Sequence, residues 1–136
     1  MPERSVPGED GERGSAVVDF VMVSILIVTL LLAVLQVAVY VHVRNVVTAS
    51  AQAGARYAAN ADVDSGLGAA RTVEVVARAT SAQTAKGLAC TSGEEADPSG
   101  LTLVVVRCSG SVPALLASLG NLLPLEVTGR AVKEAA

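Results

Sequence analysis

Between Phe20 and Val41 the chain carries no charge, no proline and no glycine. About twenty consecutive apolar residues span a bilayer as an α-helix. Val and Ile are frequent in this run, but in lipid a single segment satisfies its backbone hydrogen bonds only as a helix. The run extends to about Val43, and its polar members are Ser24, Thr29, Gln36 and Tyr40. Tyr40 and His42 stand at its far end, where amphipathic rings reach lipid headgroups. A secretory signal has an apolar region of about 7–15 residues behind a basic start. This run is longer, and the residues before it are acidic, with Glu3, Glu9, Asp10 and Glu12 against Arg4 and Arg13. Although Ala49-Ser50-Ala51 has the form of a small-residue cleavage site, the segment reads as a retained anchor.

One acid, Asp19, sits just inside the apolar segment and is followed by Phe20. A carboxylate at the bilayer centre costs roughly 2.5–3.5 kcal/mol on insertion scales, and less near an interface. A plain anchor has no use for it, so Asp19 calls for a partner. The simpler alternative is an acid at the membrane edge that snorkels to water.

The chain has 136 residues, room for one small domain beside a membrane segment. Hydrophobic residues make up 51% of it but aromatics only 2%, so Ala and Val must do the packing. A core that thin needs a covalent staple or neighbours. A net charge of −3 without a basic cluster speaks against nucleic acid as a partner. Cys90 and Cys108 both follow the apolar run. An even pair fits a disulfide outside the reducing cytoplasm, and two buried free thiols are the other reading. The disulfide reading places the C-terminal part outside and residues 1–14 inside. Positive charge hardly discriminates, since Arg13 and Arg44 stand at opposite ends of the run.

A polar leader ending in Gly14, then Ser15 as the next residue, an acid at Asp19 and an aromatic at Phe20 open the long apolar helix. This resembles the class III signal of type IV pilins and pseudopilins, in which a membrane peptidase cuts after the glycine and the acid lies fifth in the mature chain. A cut after Gly8 would put Arg13 fifth, and one after Gly11 would put Ala16 there; only Gly14 puts an acid in that place. The later run Gly54-Ala55-Arg56-Tyr57-Ala58 together with Arg13-Gly14-Ser15-Ala16 resembles the TadE-like minor pilins of tight-adherence pili. Asp19 stands where that family more often has Glu. The resemblance covers about residues 13–60. It implies a processing site at Gly14 and Ser15 and an assembly role for Asp19 and Phe20. It also implies prepilin peptidase, other pilin or pseudopilin subunits and the pilus secretion machinery as partners beside membrane lipid. Physically, a cut after Gly14 creates an ammonium on Ser15, which the Asp19 of a neighbouring helix can meet. Asp19 then also lies near a helix N-terminus, where the macrodipole favours negative charge.

The fold class expected is α+β. No proline occurs between Pro7 and Pro98, so the first helix continues past the bilayer to about Asn60. Ala51, Gly54 and Ala58 form a smooth stripe on it, a packing face for a second helix. Tyr57 reads as core. Asp62 to Gly68 is a break, with Asp64 or Ser65 as a cap for a helix over about Leu67 to Lys86. Its dry face is Leu67, Ala70, Val73 and Ala77, and Glu74 pairs with Arg78 on the wet one. Thr91 to Gly100 reads as a polar loop. Leu101 to Cys108 and Leu125 to Ala131 form an antiparallel strand pair. Pro113 and Gly120 bracket a short helix between them. Its Leu115, Leu116 and Leu119, with Leu122 and Leu123, read either as a docking patch or as core.

No catalytic constellation is legible. His42 is the only histidine, two cysteines cannot alone close a four-ligand zinc site, and Gly66-x-Gly68 is a turn. The expectation is therefore no enzyme, no metal, no cofactor, no nucleic acid and no small-molecule substrate. The domains expected are a cytoplasmic leader over 1–14, a transmembrane helix over 15–43 and an extracytoplasmic domain over 44–136. The functional reading is a minor pilin or pseudopilin-like membrane protein in assembly of a tight-adherence pilus. The alternative is an uncleaved single-pass scaffold or binding protein with a small exterior domain.

Overall fold

The structure, a computed structural model, describes residue 2, residues 9–112 and residues 123–135. Its first helix, α1, runs over Glu9–Ala58. It begins inside the polar leader rather than at the apolar run. No proline interrupts it after Pro7, and Glu12 lies near its N-terminal end, where the macrodipole favours an acid. The chain divides into two compact units between Leu35 and Gln36.

In the first unit α1 is exposed and apolar on every side, with Val17, Phe20, Ile25, Leu30 and Leu35 all open. Ser24 and Thr29 donate their hydroxyls to the carbonyls of Phe20 and Ile25. The helix thereby absorbs its own polar groups, as an apolar solvent demands.

The second unit is a two-layer α+β domain. After α1 come α2 (Leu67–Ala79) and α3 (Ala82–Lys86), then β1 (Leu88–Ala96), β2 (Thr102–Ser111) and β3 (Pro124–Val132). The strands form one antiparallel sheet in the order β1-β2-β3. Its inner face, with Val106, Cys108, Leu125 and Val127, packs against Val43, Val47, Ala51 and Ala55 of α1 and Val76 of α2. A second small cluster joins Ala58 and Ala59 to Val104.

The small-residue stripe of α1 sets these distances. A Cβ on Gly54 would lie 2.0 Å from the Thr72 hydroxyl and 2.5 Å from the Gly68 carbonyl. A Cβ on Gly129 would lie 2.4 Å from the backbone of Ala51. Helix α1 thus meets α2 on one flank and β3 on another at backbone contact. The stripe packs on the second helix as expected, and on the sheet as well.

Several expectations change. The second helix does not run unbroken to Lys86. Thr80 leaves helical geometry, and the Ser81 side chain accepts from the Thr84 amide to start α3. A serine that can cap competes with helix continuation. The buried face of α2 is Gly68, Thr72 and Val76, with Val73 and Ala77 at its margin, while Leu67 and Ala70 are exposed. Only a glycine and a short β-branched residue fit against Gly54, so close approach outweighs hydrophobicity in choosing the face. Neither Asp64 nor Ser65 is the N-cap, which is Gly66. Asp64 accepts from the Gly66 amide, and Ser92 of β1 accepts from Ala69, so α2 is capped partly from the sheet. Tyr57 is not core: it is exposed, with the Arg71 guanidinium 5.5 Å over its ring. Glu74 does pair with Arg78, and also with Arg71.

The sheet has three strands instead of two. Thr91 to Ala96, read as loop, belongs to β1, which pairs along the whole of β2. Thr91 is its only β-branched residue. Its extended state comes from the hydrogen-bonding edge of β2 and from the turn Asp97-Pro98-Ser99-Gly100. In that turn the Gly100 amide donates to the Asp97 carbonyl and Gly100 has φ +87°. On the outer face Arg107 bonds Glu95 and holds its carboxyl below the usual carboxylate range. That contribution is in place above the ordinary Glu range and fades as pH falls through the lowered value; exposure keeps it small. The short helix expected between Pro113 and Gly120, with Leu115, Leu116, Leu119 and Leu122, lies outside the described residues. Leu123 packs against the main core.

Gly129→Ala should destabilise the domain by about 1–3 kcal/mol or more, the cost of overpacking against backbone that cannot yield. Gly93→Ala, where an added Cβ meets nothing within 4 Å, should be close to neutral. Thermal unfolding of the detergent-solubilised protein checks both, and equal melting temperatures for the two variants would contradict the close packing.

Candidate functional site

Gly14, Ser15, Asp19 and Phe20 all lie on α1. An added Cβ on Gly14 meets nothing within 4 Å, so the peptide bond between Gly14 and Ser15 is helical but open to approach. Gly11 and Gly14 are the two poorest helix formers in this stretch, each about 1 kcal/mol worse than Ala. They make the helix easiest to open in this stretch. Ser15 and Asp19 stand one turn apart, at i and i+4, on the same helical face. Phe20 is 73% exposed, and the flanking Val17 and Val18 are also open. Among the described residues no cation pairs with Asp19. Its carboxylate is therefore presented on an apolar helix surface with no cation among the described residues to neutralise it.

Cys90 and Cys108 stand directly opposite each other on β1 and β2, with their sulfurs at disulfide distance and their Cα atoms 4.1 Å apart. They tie an edge strand with few apolar residues to the centre of the sheet. The pair thus joins strand to strand, since Cys90 lies within β1 and Cys108 within β2.

Three contacts that the sequence did not reveal hold α1 in the second unit. The Lys133 ammonium donates to the carbonyls of Ala58, Asn60 and Val63, which closes the C-terminal end of α1 with a cation where the macrodipole favours one. The Gln52 amide donates to the Arg130 carbonyl and accepts from the Arg130 amide, acting as one rung of a further strand beside β3. The Tyr40 hydroxyl donates to the Pro124 carbonyl at the start of β3. Tyr40 therefore serves the domain, where its position in the sequence pointed to headgroups. Residues 70–84 positions away in the chain leave no periodicity by which such partners could be read. His42 is exposed.

Among the described residues one helix, near the N-terminus, is long and apolar enough to cross a membrane, with a window of mean hydropathy 2.8 that is 0% buried. Such a helix joined to a small α+β domain is the make-up of a single-pass membrane protein. Residues 14–56 match the family model of the TadE-like proteins, the family that the motifs around Gly14 and Gly54 resemble. No curated protein and no solved structure was found to match the chain. The matched segment begins at Gly14 and ends at Arg56, so it contains Asp19, the apolar run and the start of the packing stripe, all on α1.

Denatured protein should take up no thiol reagent until it is reduced, and then label at both Cys90 and Cys108. Replacing both by Ala should lower stability by roughly 3 kcal/mol in the chain-entropy account of a loop this size. Full labelling without reductant would show free thiols, and would remove the argument for an oxidising compartment.

Proposed function

We propose that the protein is a minor pilin or pseudopilin-like subunit that takes part in assembly of a tight-adherence pilus. Helix α1 holds it in the membrane as a single pass, with the N-terminus in the cytoplasm and the domain outside. The observation that carries this reading is the coincidence of the TadE-like match with the helix that presents Asp19, five residues after Gly14. Prepilin peptidase cuts between Gly14 and Ser15. The ammonium left on Ser15 is then the natural counterion for an Asp19 carboxylate on a neighbouring helix, in a medium where an unpaired charge is costly. Phe20 packs beside the pair and helps keep water away. The role is structural, without catalysis, cofactor or metal.

The alternative, an uncleaved single-pass scaffold, draws support from one feature: α1 is helical without interruption from Glu9 through Gly14 and beyond. Mass spectrometry of the membrane-extracted protein separates the two. Loss of residues 1–14 is the expected result; chains that still begin at Met1 in cells with active prepilin peptidase favour the scaffold.

Asp19→Asn keeps the shape and removes the charge. The domain should melt as before, while co-purification with pilin subunits falls several-fold, and Asp19→Glu should retain partner binding. Unchanged recovery of partners with Asp19→Asn would refute the assembly role.

A further inference from the structure

In the second unit, the first turns of its helix are covered on one side only. Gln36 and Val43 are buried, and Val39 and Tyr40 pack against the core. On the other side Val37 is 64% exposed and Val41 48%. The exposed positions that follow change character within a turn, to His42, Arg44, Asn45 and Thr48. Two bare valines are thus left where the second unit begins, directly before a polar stretch of the same helix.

The length of the apolar run indicates what covers them. Phe20 to Val39, at ~1.5 Å per residue, reach roughly 30 Å, about the thickness of the hydrocarbon core. A span that starts just past Asp19 therefore ends between Gln36 and Val41, where the folded domain has already begun. The valines follow directly in sequence on a lipid-compatible run, and the polar switch at His42 to Arg44 marks where that compatibility stops.

We propose that the domain has no helical stalk and is seated on the bilayer, with Val37 and Val41 in the lipid layer just beneath the phospholipid headgroups. His42 and Arg44 stand at the level of the headgroups, where a cation meets phosphate. The Tyr40–Pro124 contact then lies at the same depth, so the first residue of β3 is held at the membrane surface. This rests on the reading of α1 as a membrane anchor, and it names phospholipid as the occupant of the valine face rather than a second protein.

The test uses the full chain in phosphatidylcholine vesicles, with single cysteines at Val34→Cys, Val37→Cys, Val41→Cys and Ala49→Cys, each carrying an environment-sensitive fluorophore. The native pair stays oxidised and unlabelled. Quenching by aqueous iodide is compared with quenching by phosphatidylcholine spin-labelled near its headgroup. Positions 37 and 41 should be several-fold better shielded from iodide than position 49, and quenched by the spin-labelled lipid. Iodide access at 37 and 41 equal to that at 49, with 34 still shielded, would mean a stalk and overturn the proposal while leaving the anchor intact. Shielding from both quenchers would mean that protein covers the valines, and would also overturn it. Iodide access at 34 would remove the anchor reading itself.

Discussion

Everything in the domain depends on how closely α1 approaches its neighbours. The chain has one phenylalanine, two tyrosines and no tryptophan, and its largest fully buried side chains are Leu125 and a set of valines. Apolar area per residue is small, so the layers must come together until backbones touch. Gly54 against Gly68 and Thr72, and Gly129 against Ala51, are those contacts. Dispersion falls steeply with distance, and a core of Val and Ala keeps its attraction only at such separations. The same requirement turns α2 onto its Gly68–Thr72–Val76 face and leaves Leu67 in water.

A thin core also needs its polar groups placed well. Lys133 closes the end of α1, Gln52 pairs with the backbone of Arg130, and Tyr40 holds Pro124. Each joins α1 or its end to β3 or the residue after it. Beside the stacked layers, these bonds supply direction where apolar contact is non-directional. On the other edge of the sheet the Cys90–Cys108 pair does the corresponding work for β1, which has little apolar surface of its own.

One helix carries two kinds of demand. Between Val17 and Leu35 its side chains are apolar all round and its hydroxyls turn back on their own carbonyls, which suits lipid. Asp19 is the charged exception within that stretch. From Gln36 onward the helix is amphipathic and narrow-faced, which suits a core. The TadE-like match runs through both stretches, so the matched residues contain the anchor, Asp19 and the start of the packing stripe.

The amino-acid sequence by itself determined the features whose cause is local: the apolar run, the acid at Asp19, the alternating and β-branched strands around Val104 and Val127, the Glu74–Arg78 pair, and the α+β class. Periodicity and side-chain chemistry within a few residues suffice for these. What only the tertiary structure decided are the features whose cause lies elsewhere in the chain. β1 is a strand because β2 offers it an edge, although the turn signal Asp97-Pro98-Ser99-Gly100 was there to be read. The capping of α2 by Ser92, the closing of α1 by Lys133 and the exposure of Tyr57 beneath Arg71 follow from which segments meet. A small-residue stripe announces that something will come close; which partner does so, and at what angle, is settled by the shapes of both surfaces, and only one of them is written at that place in the sequence.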